Sequence, residues 1–283
     1  MDSYQIELIE NFKNFRPSPT YPTYPPYHKG LYLEDSFFEW FISNNVQLER
    51  YYIPVFWTTC YIQNSQHGVQ QILNNLDRSK KYFTISQHDD AIIEILPPDT
   101  ICFNAGGNRS GIPIPLICSP IELKPKLNKD IFCSFVGSIT HPIRYSIFNA
   151  LKNNRKYYFS NKNWTLSVDK SDFEKFVEIT SRSVFCLCPR GYGKSSFRLY
   201  ESMQLGAIPV YVYDDKWIPF EDAIDWSKFS VLIHVSDINN IDSILSSYTN
   251  DKISEMLENI YYYWSNNFTM ESTFNKIRKI INE

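Results

Sequence analysis

Residues 184–215 read VFCLCPRGYGKSSFRLYESMQLGAIPVYVYDD. The uncharged run 184–188 suits a strand buried on both faces. Pro189 stops it, and Gly191 and Gly193 give the following loop its backbone freedom. Ser195 or Ser196 is a natural N-cap for a helix over 197–205, Gly206 is its expected C-cap, and 208–213 is a second apolar strand. The unit is strand, glycine loop, helix, strand.

Its charges indicate what it could hold. Arg190, Lys194 and Arg198 fall close together around a helix N-terminus, where unpaired N–H groups favour an anion. Glu201 lies three residues beyond Arg198 on the same helical face, within reach of a sugar hydroxyl if a diphosphate sits against the loop. A solvated loop with an i,i+3 ion pair explains the same residues more plainly. Gly193-Lys194-Ser195 imitates the end of an ATPase-type phosphate loop, but Cys188 stands where that motif needs its first glycine. Asp214-Asp215 suits a turn after the strand better than a metal-binding pair.

Several linked blocks then point to one family. Residues 188–193 (CPRGYG), 196–201 (SFRLYE), 206–210 (GAIPV), Pro219-Phe220 and 225–230 (DWSKFS) resemble the donor-site signature of the exostosin family of glycosyltransferases, glycosyltransferase family 47. The resemblance is strong over about 131–235. It is weaker over about 50–118, where 52–57 (YIPVFW) and 112–116 match an apolar strand and the region before the linker.

The resemblance implies the α/β fold called GT-B, two Rossmann-like domains facing each other across a cleft. The expected division is 1–125 for an acceptor domain and 126–283 for a nucleotide-sugar domain, with the last helix packing back on the first domain. It implies an inverting glycosyltransferase that moves a sugar from a UDP-sugar to a saccharide acceptor in polysaccharide or glycan synthesis. A non-catalytic subunit that stabilises a partner glycosyltransferase is the alternative, and a homodimer is also open. No cofactor or metal is required, and the UDP-sugar is a substrate.

Carried onto this chain, Arg190 and Arg198 would hold the diphosphate and Glu201 the ribose hydroxyls. Phe135-Val136-Gly137 with Arg144 resembles a second block whose arginine also approaches the phosphates. The rest of the loop, Gly191, Tyr192, Gly193, Ser195 and Ser196, completes the expected nucleotide site. A departing nucleoside diphosphate gains charge that fixed donors must meet, and the acceptor hydroxyl must lose a proton to a base. Gln87-His88-Asp89-Asp90, after an expected strand at 82–86, is the candidate source of that base, in the order Asp89, Asp90, His88. The same residues would also serve as a turn and N-cap before 91–95.

Composition narrows the alternatives. The chain has 283 residues, 43% of them hydrophobic, enough for two ordinary domains. A net charge of −3 without a basic run disfavours nucleic acid or a membrane surface as partner. No long apolar span or signal peptide is read, so the expectation is a cytoplasmic, soluble, single-activity relative of the anchored animal enzymes. Six scattered cysteines fit reduced, buried thiols rather than a zinc site.

Elsewhere, helices are expected from the stripe Tyr4, Leu8, Ile9, Phe12 and Phe15, over 33–42 with core residues Phe37, Phe38 and Phe41, and from Val69 to Leu76. Strands are expected at 51–56, 82–86, 100–104, 131–137, 156–159 and 231–235, with helices at 173–180 and from Ile253 and Ser272. Alternating strands and helices argue parallel sheets. Tyr21, Tyr24 and Tyr27 lie in a proline-rich loop at 17–26 and just beyond it, a surface wrap or an acceptor-facing lip. Pro113, Pro115, Pro120 and Pro125 read as a linker, and Asn104-Ala105-Gly106-Gly107-Asn108 as a cleft-lining turn.

Overall fold

A computed structural model describes residues 1–18, 30–121, 128–165 and 168–283. The tyrosine-bearing lip, Pro125 and the expected 125/126 boundary lie outside or at the edge of these residues. The chain divides into one unit of Met1–Ile117 with Met270–Glu283 and a second of Cys118–Thr269.

In the first unit, α1 (Ser3–Asn11) begins at Asp2, whose carboxylate accepts the Gln5 N–H at 2.9 Å. Its stripe buries Leu8 and Phe12, and a 3₁₀ turn at Lys13–Phe15 buries Phe15. There follow α2 (Leu33–Ser43), β1 (Tyr51–Tyr52), α3 (Trp57–Ile62), α4 (Val69–Asn74), β2 (Tyr82–Ser86), β3 (Ile101–Asn104) and β4 (Ile112–Pro113). The four strands form a parallel sheet in the order β1-β2-β3-β4.

The expected strand at 51–56 is cut short for a specific reason. Ile53 N–H still reaches Phe83 O at 2.9 Å, but Pro54 has no N–H to continue the ladder. Phe56 N–H turns to Phe15 O, and Trp57 begins a helix that the apolar run concealed. Residues 91–95 form no helix either; Ala91 sits at φ 53°, incompatible with a helical start there.

An aromatic cluster fills one face of this sheet. Phe37 packs against Tyr52, Phe83 and Phe274, with ring centroids 5.1, 6.0 and 5.1 Å away. Phe274 comes from the C-terminal helix Met270–Ile281, which belongs to this unit. Phe41 is buried with Phe37, whereas Phe38 is only half-buried, against Phe56.

The second unit contains β5 (Ile131–Ser138), α5 (Pro142–Leu151), β6 (Tyr157–Lys162), α6 (Lys170–Arg182), β7 (Ser183–Leu187), α7 (Phe197–Gln204), β8 (Ile208–Tyr213) and β9 (Val231–His234). A 3₁₀ turn, α8 (Ile241–Ser246) and α9 (Asn250–Asn267) follow. Its sheet is wholly parallel in the order β6-β5-β7-β8-β9. Strand order reverses between β5 and β7, the switch point at which ligands of open α/β sheets bind. Helix α5 is not among the elements expected from the sequence. His141 caps it, its Nδ1 accepting Ile143 N–H at 3.3 Å, and Pro142 occupies the first turn, where its missing N–H costs nothing.

The six cysteines are free thiols, five of them buried. Among the described residues no helix is long and apolar enough to cross a membrane.

Two buried carboxyls open α2. Glu34 Oε1 accepts Thr58 N–H, Thr58 Oγ1–H and Gln87 N–H at 3.1, 2.6 and 3.1 Å. Asp35 is 3% exposed, and backbone N–H groups of Tyr32 and Asp35 itself only partly offset its burial. Burial, then the neighbouring Glu34, pushes its carboxyl up from 3.8 to about 8. The folded chain therefore keeps a proton on Asp35 that the unfolded chain releases between about pH 4 and 8, so stability falls as pH rises through that window. Urea unfolding at pH 5 and pH 8 should show this loss, and Asp35→Asn should reduce it. An equal loss in the variant would contradict the assignment.

Candidate functional site

The site grows from the end of β7. Leu187 is fully buried between β5 and β8, and the backbone continues along β8 through Cys188 N–H to Val210 O at 2.8 Å. Beyond Pro189 the loop leaves the sheet. Its far side is held by Tyr211, whose hydroxyl donates to Lys194 O at 2.7 Å. Ser196 occupies the N-cap of α7 with extended backbone, but its side chain makes no capping bond. Gly206 ends the unit at φ 68°, the left-handed position expected of a C-terminal glycine.

The three arginines are held in different ways. Arg144, on the first turn of α5, donates from Nε to Arg190 O, from Nη1 to Ser138 O and from Nη2 to Pro189 O at 2.9, 2.9 and 3.3 Å. It thus ties the segment after β5 to the loop after β7 across the switch point. A Cβ on Gly191 would stand 3.2 Å from Arg144 Nη2, so the loop approaches closely where it is glycine. Arg190 pairs with Asp214 at 2.8 Å and donates to Tyr192 O at 2.7 Å; its side chain is 11% exposed. Arg198 lies 4.6 Å from the Phe135 ring centroid and donates from Nη2 to Val136 O at 2.8 Å. A Cβ on Gly137 would fall 2.1 Å from Arg198 Nη2, so this glycine makes the berth for the guanidinium.

Two polar atoms here are buried without partners among the described residues: Arg198 Nε and the hydroxyl of Ser195, a residue only 4% exposed. Such groups cost about 1–3 kcal/mol each when left unpaired. They stand at the start of α7, whose first-turn N–H groups have no partner within the helix. Together these donors form a cradle into which an anion would fit. Glu201, one turn on, is half-buried, and burial, partly opposed by Arg198, pushes its carboxyl up to about 7. Lys194 pairs with Asp215 at 2.5 Å, so both members of the acidic pair face cations. Among the described residues no three His, Cys, Asp or Glu side chains group as metal ligands.

In the first unit, His88, Asp89 and Asp90 follow β2 at its carboxyl end. His88 Nδ1 accepts Asp90 N–H at 3.3 Å, which leaves the proton of the neutral ring on Nε2. Burial lowers the His88 pKa, against the opposing charge of Asp90. Asn108 bonds this loop twice, N–H to Asp89 O at 2.9 Å and Nδ2 to Asp90 Oδ1 at 3.0 Å. A Cβ on Gly106 would lie 2.3 Å from Asp89 Cα, so Asn104–Asn108 interlocks with the 88–90 loop. Sequence reasoning did not find Glu34, Asp214 or Asn108 in these roles. Only the doublet after β8 offered a signal, as two acids 24 and 21 residues beyond two cations.

The second unit is a doubly wound, wholly parallel α/β sheet with its candidate site at the switch point, and comparison places it in a family. The Exostosin GT47 domain matches residues 99–248, more than half of the chain, and the chain belongs to that family. Its two parallel-sheet, Rossmann-like α/β units are those of the GT-B fold class. Two rice proteins (Oryza sativa subsp. japonica) named "probable glucuronosyltransferase" are 38% identical over 41% of this chain and 26% of theirs, and 31% identical over 55% and 38%. A Physcomitrium patens protein named "probable glucuronosyltransferase 47 A" is 28% identical over 58% of this chain and 40% of its own. The chain thus spans about a quarter to two-fifths of these relatives. Among solved structures, the pneumococcal O-GlcNAc transferase GtfA in complex with UDP and GlcNAc aligns over 77% of this chain and 47% of its own, with a TM-score of 0.42 and 13% identity.

The Arg144 clamp makes a prediction independent of any ligand. Lysine cannot span three carbonyls on two segments, and each charge-assisted bond contributes roughly 1.5–3 kcal/mol. Arg144→Lys should therefore speed amide exchange across residues 188–196 by about tenfold or more while β8 stays protected. Unchanged exchange in that loop would remove the clamp.

Proposed function

We propose that this chain is a glycosyltransferase that moves a sugar from a UDP-sugar, with inversion, onto a saccharide acceptor. The observation that carries the proposal is the cradle: Ser195 Oγ and Arg198 Nε, buried and unpartnered, beside the first turn of α7. A diphosphate supplies the acceptors these donors lack, and membership of the exostosin GT47 family supports the nucleotide sugar as its bearer. The names of the curated relatives make a glucuronosyl donor the first to test.

In a single displacement the acceptor oxygen bonds to the anomeric carbon as the carbon–phosphate oxygen bond breaks. The electron pair leaves on UDP. Arg198, Ser195 and the helix N–H groups meet that charge, already in place and partly shielded from water. Arg144 and Arg190 hold the loop to which these donors belong. The acceptor proton passes to a carboxylate, for which Asp89 is the proposed residue. The neutral His88 ring offers an N–H rather than a lone pair, which leaves the carboxylates of this loop as the candidate bases. The reaction as proposed takes no metal.

Two outcomes test the proposal. Arg198→Ala should lower kcat by roughly 10²–10³, the usual loss for one preorganised donor; undiminished turnover would remove the diphosphate site. If the Glu201 carboxylate accepts hydrogen bonds from ribose hydroxyls, binding requires its ionised form. Affinity for UDP-glucose, whose phosphates do not titrate near neutrality, should then weaken as pH falls below about 7, approaching tenfold per unit. Glu201→Gln should bind weakly with a flat profile, and a profile like that of the unmodified chain would contradict the role.

A further inference from the structure

At the carboxyl ends of β5 and β6 lies a pocket of about 660 Å³, walled by Ile139 and Thr140 on one side and residues 161–165 on the other. Its wall is contiguous with the site above, because Ser138, the residue before Ile139, gives its carbonyl to the Arg144 clamp. None of the proposed donor or base residues lines it.

The chemistry of the lining is selective. Trp164 is 65% exposed, a large indole left uncovered at a cavity wall. Around it stand the amides of Asn161 and Asn163 and the hydroxyl-bearing Thr140 and Thr165. The one charged member, Lys162, is ion-paired with Asp172. Among the described residues of this lining a phosphate would find no uncommitted cation. A wholly apolar ligand would strip water from the amides without replacing their hydrogen bonds. A sugar ring satisfies both demands, with a C–H face for the indole and hydroxyls for the amides.

We propose that this pocket is a subsite for a sugar ring, which rests on the glycosyltransferase reading for its place in the reaction. The ring belongs either to the donor's transferred sugar or to the acceptor, and binding measurements separate the two. Calorimetric titrations of the full chain would use UDP, UDP-glucuronic acid, cellohexaose and xylohexaose, repeated on Trp164→Ala and Asn163→Ala. Trp164 is largely exposed, so its removal should leave the fold intact, which the unfolding midpoint checks.

The expected result is a loss of about tenfold in affinity for a sugar-bearing probe, with UDP affinity unchanged. Loss of the advantage of UDP-glucuronic acid over UDP assigns the pocket to the donor sugar. Loss of oligosaccharide binding alone assigns it to the acceptor. Equal weakening of UDP and UDP-glucuronic acid would place the nucleoside there and overturn the proposal. It is overturned also if the variants bind every probe as the unmodified chain does, or if the unmodified chain gains nothing from any sugar. Failure of UDP itself to bind would instead sink the donor-site reading, while the oligosaccharide arm still decides the pocket.

Discussion

Three carbonyls, of Ser138, Pro189 and Arg190, converge on the guanidinium of Arg144, and the geometry of the second unit's site follows from that convergence. A parallel sheet whose strand order reverses sends its two central crossovers to opposite faces, leaving the ends of β5 and β7 without a direct connection. A rigid planar cation with several donors is suited to bridging them. With the two segments tied, Gly137 lies under Arg198, Gly191 lies against Arg144, and α7 begins at a fixed position.

This division of labour among cations sets the electrostatics. Arg190 and Lys194 are matched by Asp214 and Asp215, so they stiffen the loop while adding little net charge. Among the described residues no carboxylate lies within salt-bridge distance of Arg198, which sits on an aromatic face with its Nε unsatisfied. The positive potential at the switch point therefore comes from Arg144, Arg198 and one helix terminus, and at Arg198 a bound anion would restore a missing hydrogen bond. Glu201 sits a turn away, with its acidity moved close to neutrality by burial.

Much of this was legible in the residues. The strand, glycine loop, helix and strand over 184–215 stand within a residue of their expected limits, because Pro189, Gly191 and Gly206 act through local backbone geometry. What escaped depends on contacts distant in sequence. No periodicity could tell that Arg144 would turn to carbonyls 45 and 46 residues away, or that Asp214 would pair with Arg190. The short β1 is a different failure: the run 51–56 reads as one strand, and the missing N–H of Pro54 outweighs it. Helix α5 is not among the expected elements, although His141-Pro142 is a sound start signal.

The central claim is that an activated sugar's pyrophosphate is gripped at the start of α7. A crystal structure with UDP bound tests it most directly. The account predicts a phosphate oxygen within hydrogen-bond distance, about 3 Å, of Ser195 Oγ and Arg198, with the Arg144 bonds to the three carbonyls intact. Nucleotide bound away from α7, or Ser195 and Arg198 unchanged and unpartnered beside it, would contradict it.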